Sequence, residues 1–130
     1  MVGRVGERDE SGEYGISEDV IASIAAIAAT EVDGVSALAP GLVGGLSEML
    51  GSRRNSRGVR VEVGTREAAV DVFVLVDYGV RIPALAERVQ RQVKSAIEAM
   101  TGLSVVEVNV HVQGVSTTVP APLHTARPLE

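Results

Sequence analysis

The tightest constraint in this chain is a run of valines at every second position. Val59, Val61 and Val63 alternate with Arg60 and Glu62, and Val70, Val72, Val74 and Val76 alternate with Asp71, Phe73, Leu75 and Asp77. Side chains on a strand point to opposite faces in turn, so each run has one all-valine face. The Gly64–Glu67 stretch between them reads as a turn, and the pair as an antiparallel hairpin. A third run follows at Leu103–Gln113, where Val106, Val108, Val110 and Val112 alternate with Glu107, Asn109, His111 and Gln113.

Three valine faces must be covered, and two segments can cover them. Between the second and third runs the period changes. Leu85, Ala86, Val89, Val93, Ala96, Ile97 and Met100 recur at 3–4 spacing, while Glu87, Arg91, Lys94 and Glu98 mark the other face. Pro83 suits the first turn of this helix and Gly102 its end. Glu87 and Arg91 stand in the favourable i, i+4 order. The second cover is Ser17–Val32. Ser17 is placed as an N-cap, and Glu18 and Asp19 complement the helix dipole. Val20, Ile24 and Ile27 form one apolar row, with Ile21, Ala25, Ala28 and Val32 beside it. Gly34 ends this helix, and Val35–Leu38 reads as a short strand closed by Pro40-Gly41.

A strand–helix–strand connection of this length predicts a right-handed crossover between parallel strands. The expected fold is therefore α/β (α+β): a two-layer sandwich, with a mixed three- to four-stranded sheet and two main helices packed on one face. At 130 residues the chain is one domain's worth. Residues 1–13 read as a disordered tail, 14–115 as the single domain, and 116–130, with Pro120, Pro122 and Pro128, as a second disordered tail.

Composition removes several function classes. Aromatic residues are 2% of the chain, so platforms for stacking bases are missing. The net charge of −5 is the wrong sign for phosphate neutralisation and counts against a nucleic-acid binder without excluding a local basic patch. With no cysteine, thiol catalysis and zinc–thiolate sites are excluded. No segment reaches the roughly 18–20 apolar residues of a spanning helix, and no secretory signal precedes the domain; the expectation is a cytoplasmic protein. His111 and His124 lack a second histidine at metal-ligand spacing. No nucleophile elbow or phosphate-binding loop is present, and Asp71, Asp77 and Glu107 read as surface carboxylates. The chain is expected to be no enzyme and to hold no cofactor and no metal.

Two features are left that could bind something. Phe73 and Leu75 interrupt the polar face of the second strand. Either they are two scattered apolar residues, or Gly41–Leu50 folds back over them, or they mark a partner surface. The second feature is Gly41–Gly51, where Leu42, Val43, Leu46, Met49 and Leu50 recur at helical spacing around Gly44-Gly45. Each internal glycine costs about 1 kcal/mol relative to alanine, so this helix needs a surface to form on. Arg53, Arg54, Arg57 and Arg60 follow it. An apolar face followed by arginines suits a solvated loop, a contact with an anionic membrane surface or, less well, RNA. The candidate interaction surface is thus Phe73, Leu75, Leu42, Leu46, Met49, Leu50, Arg53, Arg54 and Arg57.

The stretches ISEDVIASIAAIAATEVDGV, GLVGGLSEMLG, VDVFVLVDYGVRIP and MTGLSVVEVNVHVQGV resemble the alkaline shock protein family, envelope stress response proteins of Gram-positive bacteria. The likeness runs from Tyr14 to Val115. It implies a non-enzymatic cytoplasmic protein acting in envelope or general stress. It further implies self-association and attachment at the inner face of the cell membrane through a membrane-anchored protein partner. The family has no catalytic residues to carry over.

Overall fold

The computed structural model describes residues 8–9, 12–39 and 58–117. Six strands and two helices follow in the order β1 (Arg8–Asp9), β2 (Gly12–Glu13), α1 (Glu18–Thr30), β3 (Val35–Leu38), β4 (Val59–Val63), β5 (Glu67–Asp77), α2 (Ile82–Thr101) and β6 (Ser104–Ser116). β5 is the axis of the main sheet. β4 pairs antiparallel with its first half and β3 antiparallel with its last residues, while β6 runs parallel along its other edge. The sheet is mixed and four-stranded, as the valine pattern and the crossover length predicted.

The helices form at the expected places for the expected reasons. Ser17 Oγ accepts a hydrogen bond from Val20 N at 3.3 Å, satisfying one of the orphan donors of α1. α2 begins with Pro83 in its first turn and ends at Gly102 in the left-handed conformation, φ 79°. α1 lies over β3 and β4, α2 over β6, and the two helices pack on each other. Between helices and sheet sits an aliphatic core of Ile21, Ala25, Ala28, Val59, Val61, Val70, Val72, Val74, Val76, Leu85, Val89, Val93 and Ile97.

Several expectations need correction. Val20 and Ile27 do not face the sheet; they are exposed, as is Met100 on α2, and the sheet-facing residues of α1 are Ile21, Ile24, Ala25 and Ala28. The row that carries Val20 and Ile27 lies instead beside Met100, over the seam between the two helices. On β6 the alternation slips. Ala68 pairs with Val105 but Ala69 with Glu107, so Val106 is a bulge residue. The bulge reverses the faces: Val105 is 2% exposed and Val106 is 58% exposed. A second irregularity at Gln113 shifts the register by one more residue, so that Gly114 pairs with Leu75 and Val115 with Val76, and the strand runs past Gln113 to Ser116. In α2 the ion pair among described residues is Lys94–Glu98 at 2.9 Å, rather than Glu87–Arg91. Glu98 is the better placed partner because its Oε2 also accepts from Val105 N at 2.9 Å. Within the stretch expected to be a tail, β1 and β2 pair antiparallel, Arg8 with Glu13 and Asp9 with Gly12.

Candidate functional site

The face of the sheet away from the helices is built around Phe73. Phe73 is only 4% exposed, so its ring is covered. Its neighbours explain part of that burial. The register sets His111 of β6 directly beside it, and the two rings stack with centroids 4.6 Å apart and planes 16° apart. The Arg60 guanidinium from β4 lies over the ring at 5.8 Å, within cation–π reach. Arg60 Nε is shut from solvent with no hydrogen-bond partner, so packing against the ring is what holds this end of the side chain. The arginine at the end of the predicted basic cluster is therefore committed to the fold. Leu75, two residues on, is half-buried and pairs with Ala37 on one side and Gly114 on the other.

A polar row lies beside the aromatic pair. Asp71 Oδ1 accepts from Asn109 Nδ2 at 3.1 Å and meets His111 Nε2 at 3.0 Å; Asn109 Nδ2 also donates to Glu107 Oε2 at 2.7 Å. With the proton on Nε2, His111 donates to Asp71. An Asp–His pair can orient a base, yet the hydrogen bond of His111 among described residues goes to Asp71, with no hydroxyl or thiol in line to activate. No group of three metal-ligating side chains stands together among the described residues. What this face offers is a braced aromatic pair framed by Arg60, Asp71, Asn109 and Glu107.

The backbone of Phe73 marks a junction. Ala39 N donates to Phe73 O at 2.8 Å, and Phe73 N donates to Gly58 O at 2.8 Å. The edge of β5 thus passes from β3 to β4 at this one residue, and residues 40–57 connect two points that both bond it. Leu42, Leu46, Met49, Leu50, Arg53, Arg54 and Arg57 lie outside the described residues. Their separation from Phe73 in sequence hid this relation: alternation gave the face of Phe73, but only the register brings Gly58, Ala39, Arg60 and His111 to it.

Two hollows went unread in the sequence. The larger, about 820 Å³, lies beyond the carboxyl ends of β5 and β6 at the start of α2, with Asp33, Asp77, Tyr78, Arg81, Arg88 and Thr117 in its wall. Arg88 Nη2 donates to Asp33 O there at 3.5 Å. Its signal in the sequence is the Tyr78–Pro83 strand-to-helix turn, since crevices in α/β sheets open at strand carboxyl ends. The smaller, about 430 Å³, is the apolar groove between α1 and α2 left by Val20, Ile27 and Met100.

Comparison with known proteins extends this picture. Residues 6–117 match the alkaline shock protein 23 family, described as having a cell envelope-related function. The chain is 36% identical over 104 residues to the uncharacterized protein YqhY of Bacillus subtilis, covering 80% of this chain and 77% of that one. It is 36% identical over 115 residues to YloU of the same organism, also uncharacterized, covering 87% and 96%. It is 32% identical over 107 residues to a stress response regulator gls24 homolog of Streptococcus pyogenes, covering 82% of this chain but 60% of that relative's length. Among solved structures, forms of MamM CTD align over 75% of this chain at 14% identity with a TM-score of 0.47. The match over residues 6–117 and the identity to relatives of similar length place this chain in the alkaline shock protein 23 family, with its cell envelope-related function.

Proposed function

We propose that this protein serves the envelope stress response without catalysis, by associating with itself and by docking to a membrane-anchored protein partner. The observation that carries the reading is the envelope-related family match over residues 6–117. The relative named as a stress response regulator supports the stress half of it. The outer sheet face supports the docking half. There the Phe73–His111 pair is braced by Arg60 at the point where residues 40–57 depart and return. His111, partly exposed and held rigid against the buried Phe73, is the ring of this face that a partner can reach. No helix among the described residues is long and apolar enough to cross a membrane, and the reading calls for attachment to an anchored protein rather than insertion.

The test is sedimentation of the labelled full chain with three vesicle preparations. These are native membrane vesicles of the source bacterium, the same vesicles after surface proteolysis, and protein-free vesicles containing anionic lipid. Binding to the native vesicles that proteolysis abolishes, without binding to lipid alone, is expected. Failure to bind native vesicles, or equal binding to protein-free anionic lipid, overturns docking to a protein.

A further inference from the structure

The outer edge of β6 is closed at one end and open at the other. Ser104 N donates to Arg66 O at 2.9 Å and Ser116 O accepts from Tyr78 N at 2.9 Å, so both ends of the strand turn these groups toward the β5 side. Val105 points its backbone the other way, and α2 side chains meet it. Lys94 Nζ donates to Val105 O at 3.1 Å, and Glu98 Oε2 accepts from Val105 N. Gln90 Nε2 does the same for Val108 O at 3.2 Å. These side chains plug the first half of the edge, as edge strands in soluble proteins usually require. Continuing the alternation, with one step added at the Gln113 bulge, Val110, Val112 and Val115 also turn their N–H and C=O groups outward. Among the described residues nothing is bonded to those groups.

The open half carries one of the usual protections, the Gln113 bulge, but neither charge nor proline. Asn109–Ser116 contains no Asp, Glu, Lys, Arg or Pro, in a chain whose net charge is −5. Acidic copies repel one another over most of their surface, and this neutral strip is where two of them can approach without that cost. Laid antiparallel on itself about a two-fold axis, the strip sets no charge opposite a like charge. With the axis beside Gln113, half-buried Val112 lies at the axis and half-buried Val110 faces Val115 of the other copy. We propose that the Asn109–Ser116 edge of β6 pairs antiparallel with the same edge of a second copy, joining two four-stranded sheets into one. The proposal rests on the self-association reading above and supplies its surface.

The test is the association constant of the full chain by sedimentation equilibrium, with two variants. Val112→Pro removes an outward N–H and leaves the ladder to β5 alone. Gln113→Lys puts a charge on the open edge. Each dimer of Val112→Pro loses two ladder donors, so association weakens by about tenfold or more. Gln113→Lys weakens association as well, and it decides the matter if Val112→Pro fails to fold, as judged by circular dichroism. A folded variant that associates as tightly as the parent overturns the edge and leaves self-association standing. A parent that stays a single chain at all concentrations overturns both.

Discussion

Gly58 shows how much one residue can determine here. It takes φ +80°, and a Cβ built on it would stand 2.8 Å from Leu38 Cβ and 3.3 Å from Phe73 O. Both the left-handed conformation and the contact resist a side chain, so Gly58→Ala is expected to cost about 2–4 kcal/mol in urea unfolding. Gly102, at φ +79° with open space around it, isolates the first effect; Gly102→Ala is expected to cost about 1 kcal/mol. The sequence marked Gly102 as a helix end, whereas the strand junction at Gly58 was invisible because its crowding comes from Leu38 and Phe73, distant in the chain. Glu98 contributes a pH dependence. Its carboxyl is held below the ordinary glutamate range by the hydrogen bond from Val105 N and then by Lys94. A depressed pKa means that the folded state binds fewer protons than the unfolded one. The stabilisation is therefore complete above the unfolded value of about 4.3 and is lost as pH falls through the lower folded value. Glu98→Gln should unfold at a lower urea concentration than the parent at pH 7, with the gap closing in the acid range. A gap that persists at low pH, or widens, contradicts this role.

Among the elements, β6 separates what alternation reveals from what it hides. The strand, its parallel pairing and the helix before it were all legible, because valine period, helical period and connection length agree. The bulge at Val106 was not, because a run of valines on both sides of the slip looks unbroken in sequence. Uninterrupted alternation makes Val106 the core residue; the register makes it Val105. Val105→Asp, burying a charge at 2% exposure, is expected to cost at least about 3 kcal/mol. Val106→Asp, on the surface, should stay within about 0.5 kcal/mol of the parent. The reverse ranking in thermal or urea unfolding would mean that the strand pairs in the unbulged register. α1 was legible to its cap, and Ser17→Ala should lose about 1 kcal/mol with the loss of the bond to Val20 N. Its exposed row was not legible, since a broad apolar stripe does not say which part of itself faces the sheet.

In the molecule as a whole, the valine faces account for one side of the sheet and both helices. Besides the two hollows, the Phe73–His111 face and the open edge of β6 are left on the other side, and both belong to the same two strands. The sequence led to Phe73 through its misfit among polar neighbours and was right about the face. It left open whether Phe73 is covered, because stacking on His111 and the Arg60 cation depends on a cross-strand register that no local pattern encodes. Family membership supplies the envelope context; the edge supplies a way for copies to meet. The most direct test places a single nitroxide label on the edge, which a chain without cysteine makes simple. Gln113→Cys sets the label beside the two-fold axis, and Arg91→Cys on the exposed face of α2 is the control. Pulsed electron paramagnetic resonance at concentrations where the parent associates should give a short, narrow intermolecular distance at position 113. That distance is set by the strand spacing of about 5 Å plus two label arms, and position 91 should give a longer, broader one. No intermolecular coupling at position 113, or a shorter distance at 91, would contradict pairing through β6.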